Sequence, residues 1–89
     1  MTRPFCYRRL RFHPRYRYFK PRGIPLRLLR EVLLLPDEIE AVKLHDLDGL
    51  NHQQSASAMK ISQPTFTRIL NRAYGKIAQA LIRGHAIRL

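Results

Sequence analysis

A run of polar side chains opens the longest helix that the sequence predicts. Ser62 is a favourable N-cap and Pro64 fits the first helical turn, so the helix is predicted to begin at Gln63. Its apolar residues recur at spacings of three and four, which turns the polar residues outward. Glutamine pairs bidentately with adenine and arginine with guanine in a major groove, and threonine meets thymine methyls or phosphates. The side chains predicted to read base edges are Gln63, Thr65, Thr67 and Arg68.

A second set of polar and basic residues surrounds the first and suits phosphate. The amides at the start of a short preceding helix, at His52 and Gln53, can hold a phosphate oxygen. Basic residues further along the long helix suit the same role, because cations on an acid-free face attract a polyanion. The predicted phosphate contacts are His52, Gln53, Lys60, Ser62, Asn71, Arg72 and Lys76.

Three predicted helices position these residues. The first spans about residues 37–48, with acids in its first turn and Gly49 after its end. The second spans residues 52–59 behind the N-cap Asn51, and the third runs from residue 63 to the stop signal Gly84. A small residue, Ala56, permits close approach of the second and third helices. Buried residues are expected at Met59, Ile61, Phe66 and Ile69. The pattern predicts a mainly α fold with a three-helix helix-turn-helix core.

Charge is distributed in three blocks along the 89 residues, whose net charge is +11. Residues 1–30 hold ten Lys or Arg and no acid, residues 31–48 hold all six acids and one Lys, and residues 49–89 hold six bases and no acid. Such basic blocks seek a polyanion or remain solvated.

Residues 1–25 are predicted to form an extended basic arm rather than a packed element, because they hold four of the six prolines. They also hold six of the eight aromatic residues, and Tyr16–Lys20 could form one short strand. The arm is either a solvated tail or a segment that lies on a phosphate backbone or a second subunit. Its predicted phosphate contacts are Arg3, Arg8, Arg9, Arg11, Arg15, Arg17, Lys20 and Arg22.

Residues 26–89 are predicted to form the DNA-binding domain. Its first ten residues are ambiguous between a helical turn and a strand. A turn followed by a strand at about 31–35 is preferred, with a second short strand at 86–89 perhaps beside it.

Much of the chain resembles a family of small prokaryotic proteins described as predicted DNA-binding proteins. The matching segments and residues are 19–26, 37–41, 46–50, Ala56, Met59, 61–62, 64–66, 68–70, Ala73, 76–78, 80–81 and 86–88. The resemblance implies a helix-turn-helix similar to region four of sigma factors, in the winged-helix-like superfamily, and a regulatory role. Three features depart from the family pattern: Lys60 replaces a usual glycine in the turn, Ser55 replaces an alanine, and residues 52–54 are less acidic. A lysine at positive φ would cost roughly 1 kcal/mol.

The sequence offers few residues for catalysis or for metal binding. No carboxylate pair, Ser-His-Asp order or glycine-rich phosphate loop predicts an enzyme, and no cofactor is expected. Cys6 and His13 fall short of the four ligands of a structural zinc site. The single cysteine, with no signal peptide or apolar span, predicts a cytoplasmic protein without membrane contact.

The sequence therefore predicts a transcriptional regulator that binds specific duplex DNA, and a homodimer because the core is small. Two alternatives remain open. The aromatic arm could bind RNA by stacking on unpaired bases, or the domain could be a module that contacts RNA polymerase.

Overall fold

The protein is mainly helical, and a small three-stranded sheet packs beside its helices. The computed structural model describes residues 10–89. The helices are α1 (Pro36–Val42), α2 (His52–Met59) and α3 (Gln63–Arg83), and the strands are β1 (Tyr18–Phe19), β2 (Glu31–Leu33) and β3 (Ala86–Arg88). A 3₁₀ turn at Leu26–Leu28 precedes β2, and a π-helical turn at Lys43–Leu47 continues α1.

The sheet places the C-terminal strand, β3, between the two strands that precede α1. Its strand order is β1-β3-β2, with β3 antiparallel to β1 and parallel to β2. Ile87 lies opposite both Phe19 and Val32. The predicted strands at 31–35 and 86–89 are thus confirmed as neighbours, and β1 falls within the segment predicted as a third strand.

The core lies where α3 crosses α1 and α2. Phe66, Met59 and Leu70 are almost wholly buried, and Ala56 is buried between the two helices that its small side chain allows to approach. The predicted burial of Met59, Phe66 and Ile69 is confirmed, whereas Ile61 is only partly buried.

Local capping sets the ends of α2 and α3. The Asn51 Oδ1 accepts a 2.7 Å bond from the Gln54 amide, and the Ser62 Oγ accepts one of 3.3 Å from the Thr65 amide. Gly84 takes φ 71° at the end of α3. These boundaries match the predicted ones.

The first helix differs from its prediction over residues 37–48. It begins at Pro36, and its α-helical part ends at Val42. The Asp48 amide then donates to the Lys43 carbonyl at 2.9 Å, a five-residue closure that widens the last turn.

The arm is bound to the helical body over part of its length. The amides of Arg11 and Phe12 donate to one oxygen of Glu40, at 3.1 Å and 2.8 Å, and Leu10 packs against the core. A buried carboxylate needs donors, and these two amides supply them. From residue 10 to β1 the structure therefore differs from the prediction of an unpacked arm. Residues 1–9, including Cys6, lie outside the described part of the chain.

No helix within residues 10–89 has the length and apolar character to cross a membrane.

Candidate nucleic-acid interface

Three residues, Lys60, Ile61 and Ser62, connect α2 to α3. Lys60 adopts φ 58° and ψ 45°, the left-handed conformation that closes α2, and its amide donates to the Ser57 carbonyl at 3.1 Å. The Ile61 amide then donates to the Ala56 carbonyl at 3.0 Å. The chain consequently reverses within three residues, and the Lys60 side chain is exposed at the turn.

The first three turns of α3 hold the residues predicted to read base edges. Gln63 and Arg68 are exposed, while Thr65 and Thr67 are half-buried; Asn71, predicted to contact phosphate, is exposed beside them. The Arg68 guanidinium donates to the Thr65 Oγ1 at 3.2 Å. Thr65 therefore orients the arginine, and its Oγ1 also accepts a 2.9 Å bond from the Ser62 Oγ.

The start of α2 lies against the same part of α3. The His52 Nδ1 lies 3.0 Å from the Thr67 Oγ1, and the imidazole meets the Phe66 ring edge-on at 5.5 Å. The His45 ring stands 4.8 Å from that of His52, and its Nδ1 donates to the Leu50 carbonyl at 2.7 Å. Thr67 and His52 thus connect the two helix starts, and Gln53 remains exposed beside them.

Two predicted phosphate contacts have carboxylate partners within the chain. Arg72 binds Glu38 through Nε and Asp37 through Nη2, the latter at 3.2 Å, and Lys76 donates to Glu38 at 2.8 Å. Burial of Glu38 favours its neutral form, but bonds from Lys76, Leu35 and Arg72 outweigh it and lower the pKa of Glu38. The hydrogen bond to Glu38 likewise raises the pKa of Arg72. Both cations hold α3 against α1.

The acidic block lies mostly inside the protein or in internal contacts. Asp37, Glu38 and Glu40 are buried. Asp46 accepts a 2.7 Å bond from the Tyr74 hydroxyl, and burial followed by this bond raises the pKa of Tyr74 to about 12. Asp48 pairs with Lys43 at 2.8 Å.

Glu31, on β2, accepts a 2.7 Å bond from Tyr18 and lies 3.5 Å from Arg88. The bond to Glu31 raises the pKa of Tyr18. All six acids therefore have partners within residues 10–89.

The predicted arm contacts divide between two parts of the chain. Arg3, Arg8 and Arg9 lie outside the described residues. The others are exposed: Arg11, Arg15, Arg17, Lys20 and Arg22. Lys20 donates to the Ile24 carbonyl at 2.8 Å, which closes the loop after β1.

Sequence reasoning missed the buried carboxylates that organise this region. Glu38 is 0% exposed and bridges α1 to α3. The signal was present in the spacing, since Arg72 and Lys76 are four residues apart and share one side of a helix. A basic pair on the side facing another helix calls for a buried acid.

Within residues 10–89, no three histidine, cysteine or acidic side chains form a group that could hold a metal ion.

Comparison with known proteins identifies the family. The family model described as "Protein of unknown function DUF134" matches residues 1–89, and the chain belongs to this family. It is 51% identical over its whole length to UPF0251 protein TTE1845 of Caldanaerobacter subterraneus and covers 75% of that protein. It is 49% identical to a UPF0251 protein of Moorella thermoacetica and 53% identical to one of Desulforudis audaxviator, covering 60% and 58% of them. Several of these curated relatives are thus considerably longer than the chain. No solved structure matches it.

Proposed function

We propose that this member of the DUF134 family binds specific duplex DNA through the outer side of the first turns of α3. The observation that carries the proposal is the exposure of Gln63, Arg68 and Asn71 on the first three turns of α3, a helix that contains no acid. We interpret α2, its three-residue turn and α3 as a helix-turn-helix, in which the second helix enters the major groove.

The geometry supports a reading role for these side chains. A major groove about 12 Å wide admits one α-helix, and the N-terminal residues of that helix reach the base edges. Arg68 is proposed to pair with guanine and Gln63 with adenine. The tether from Thr65 to Arg68 limits the conformations of the guanidinium before binding, which lowers the entropy lost on contact.

The charge pairing supports phosphate contact by fewer residues than the sequence predicted. Lys60 lies at the exposed turn and Gln53 at the exposed start of α2, both beside the reading surface. Arg72 and Lys76 are proposed to position α3 instead, because their charges are balanced by Asp37 and Glu38.

Selection of bound sequences from a random duplex pool tests the proposal. An enriched motif is expected, and affinity for it should fall with salt by roughly 0.9 log units per log unit for each phosphate neutralised. A pool that remains random after selection contradicts specific reading, and failure to retain any duplex contradicts the proposal altogether.

Two matched variants locate the contact on α3. Arg68→Ala should weaken binding to the selected motif by about 1–3 kcal/mol and relax preference at one base position. Arg83→Ala removes the same exposed side chain from the last turn of α3, about 22 Å further along the axis. It should change affinity little. Equal losses in both variants would mean that charge alone, and not reading by the start of α3, drives binding.

We further propose that the protein binds as a homodimer. Leu81 and Ile82, at the end of α3, are 74% and 85% exposed, and adjacent apolar residues of this size mark contact surfaces. A dimer predicts a palindromic selected motif with half-sites about 34 Å apart or a multiple of it. Light scattering of the free protein and of Leu81→Lys tests this, and a wild-type monomer with a non-repeated motif refutes it.

A further inference from the structure

The arm and the reading surface of α3 lie on opposite sides of α1. Glu38 binds Arg72 and Lys76 of α3, whereas Glu40 accepts the Arg11 and Phe12 amides of the arm. Residues two apart on an α-helix point about 200° from each other. Helix α1 is therefore enclosed between α3 on one side and the arm on the other.

The far end of the arm is also remote from the reading surface. Phe19 and Lys20 line a cleft of about 330 Å³ together with Ala80 and Leu81 of α3. Leu81 lies about 27 Å along the helix axis from Gln63, at 1.5 Å per residue. A duplex seated on the first turns of α3 consequently lies away from the Phe19 end of the arm.

The arm carries its own charge and its own rings. Residues 10–30 contain seven Lys or Arg and no acid. Tyr16 is 72% exposed and Phe19 is 53% exposed. We define the arm surface as six of the exposed basic and aromatic residues of this segment: Phe12, Arg15, Tyr16, Arg17, Phe19 and Arg22.

Rings between arginines distinguish the possible ligands. A duplex presents phosphates to such a surface and stacks its bases inside, where exposed rings cannot reach them. A single strand presents both phosphates and unstacked bases, and aromatic side chains stack on those bases. We propose that the arm surface binds single-stranded nucleic acid, at a site separate from the duplex site on α3.

Binding of fluorescent oligo(dT) and oligo(U), each of about 12 nucleotides, tests the proposal by anisotropy. Tyr16→Ala, which removes one exposed ring, should weaken single-strand binding by about tenfold, the loss of one stacked base. Arg15→Ala/Tyr16→Ala should weaken it further. Tyr16→Ala should bind the selected duplex within about twofold of wild type, because Tyr16 is uncharged and does not lie on α3.

The control variant is Arg68→Ala/Asn71→Ala, which alters the reading surface alone. It should bind oligo(dT) and oligo(U) like wild type, and wild type saturated with unlabelled duplex should still bind the labelled single strand. Circular dichroism of each variant checks that the fold is retained.

The outcomes separate this inference from the proposed function. If duplex displaces the single strand, or if the α3 variant loses both ligands, one site serves both and the inference is overturned while duplex binding stands. If arm variants lose duplex and single strand equally, the arm belongs to the duplex site and the inference is again overturned. If single strands bind through Tyr16 but no duplex binds, the inference stands and the proposed function fails. No binding of oligo(dT) or oligo(U) by wild type refutes the inference directly.

Discussion

Replacing Glu38 with glutamine tests whether a buried carboxylate fixes α3 in place. Glutamine has nearly the same shape and can still accept from the Leu35 amide, which donates to Glu38 at 2.7 Å. The change removes the negative charge that Arg72 and Lys76 share, and it places an NH2 group where Oε2 accepts from the Arg72 Nε. We expect the variant to fold and to be less stable at neutral pH.

The exposure of the partners sets the magnitude. Removing one member of a buried ion pair costs about 3–5 kcal/mol when the remaining charge is wholly buried. Here Lys76 loses its carboxylate partner while Arg72 keeps Asp37, and their side chains are 27% and 47% exposed, so water can solvate them. We therefore expect Glu38→Gln to lower the free energy of unfolding by about 2 kcal/mol, below the fully buried case. Domains of this size have total stabilities of only about 4–13 kcal/mol.

The loss should depend on pH in one direction. The pKa of Glu38 lies below its ordinary value of 4.5 in the folded protein, so its charge stabilises the fold above that value. As pH falls through the folded pKa, the wild-type carboxylate becomes protonated and loses this advantage. The difference between wild type and Glu38→Gln should be constant above 4.5 and shrink below it.

Urea unfolding followed by circular dichroism, from about pH 7 to about pH 2, measures this difference. Glu31→Gln is the matched control, because Glu31 is exposed and lies 3.5 Å from Arg88. It should change stability by less than about 0.5 kcal/mol. A Glu38→Gln variant as stable as wild type at neutral pH, or one whose deficit persists unchanged in acid, would refute the assigned role of Glu38.

Three further variants test local features of α2 and α3. Lys60→Gly should raise the free energy of unfolding by about 1 kcal/mol in urea titration, because glycine adopts the φ of 58° without strain. An unchanged free energy of unfolding would contradict the idea that Lys60 is strained. Gly75→Ala should stabilise by about 0.5–1 kcal/mol in the same assay, since a Cβ there meets no atom within 4 Å, and a loss would indicate an unseen contact. Tyr74→Phe should make the free energy of unfolding less dependent on pH in alkaline solution. The pKa of Tyr74 is raised from 10.0 to about 12, so its contribution is complete below 10.0 and lost as pH rises through 12. Equal wild-type and Tyr74→Phe curves between those values would contradict the raised pKa of Tyr74.

The elements that could be predicted from sequence are those fixed by neighbouring residues. Asn51, Ser62 and Gly84 act on backbone groups within four positions, so the ends of α2 and α3 followed directly from the residues. The π-helical turn could not be foreseen in this way. It depends on how the chain leaves α1 to let Leu50 and Leu44 pack, and no local signal marks it.

Which basic residues are paired with acids could not be predicted from the sequence, because the pairing depends on contacts between residues far apart along the chain. Arg68 and Arg72 are the same residue type one turn apart on α3, and composition gives no way to distinguish them. Arg72 meets Glu38, 34 residues earlier, while Arg68 meets only Thr65 on its own helix among the hydrogen bonds of the described chain. Charge counts alone therefore overestimate the number of cations available to a polyanion.

The pairing of some basic residues with acids changes how the net charge of +11 is interpreted. The acids of residues 31–48 lower the net charge, and in the folded protein they pair with particular basic residues and leave others exposed. Glu38 directs two positive charges of α3 inward, and Glu40 binds backbone amides of the arm, so the arginine side chains there keep their charge. A single helix, α1, thus sets which basic residues on each side remain available to a polyanion. Weakening Glu38 should loosen α3 and leave the arm in place, whereas Glu40→Ala, which removes the acceptor of the Arg11 and Phe12 amides, should loosen the arm first.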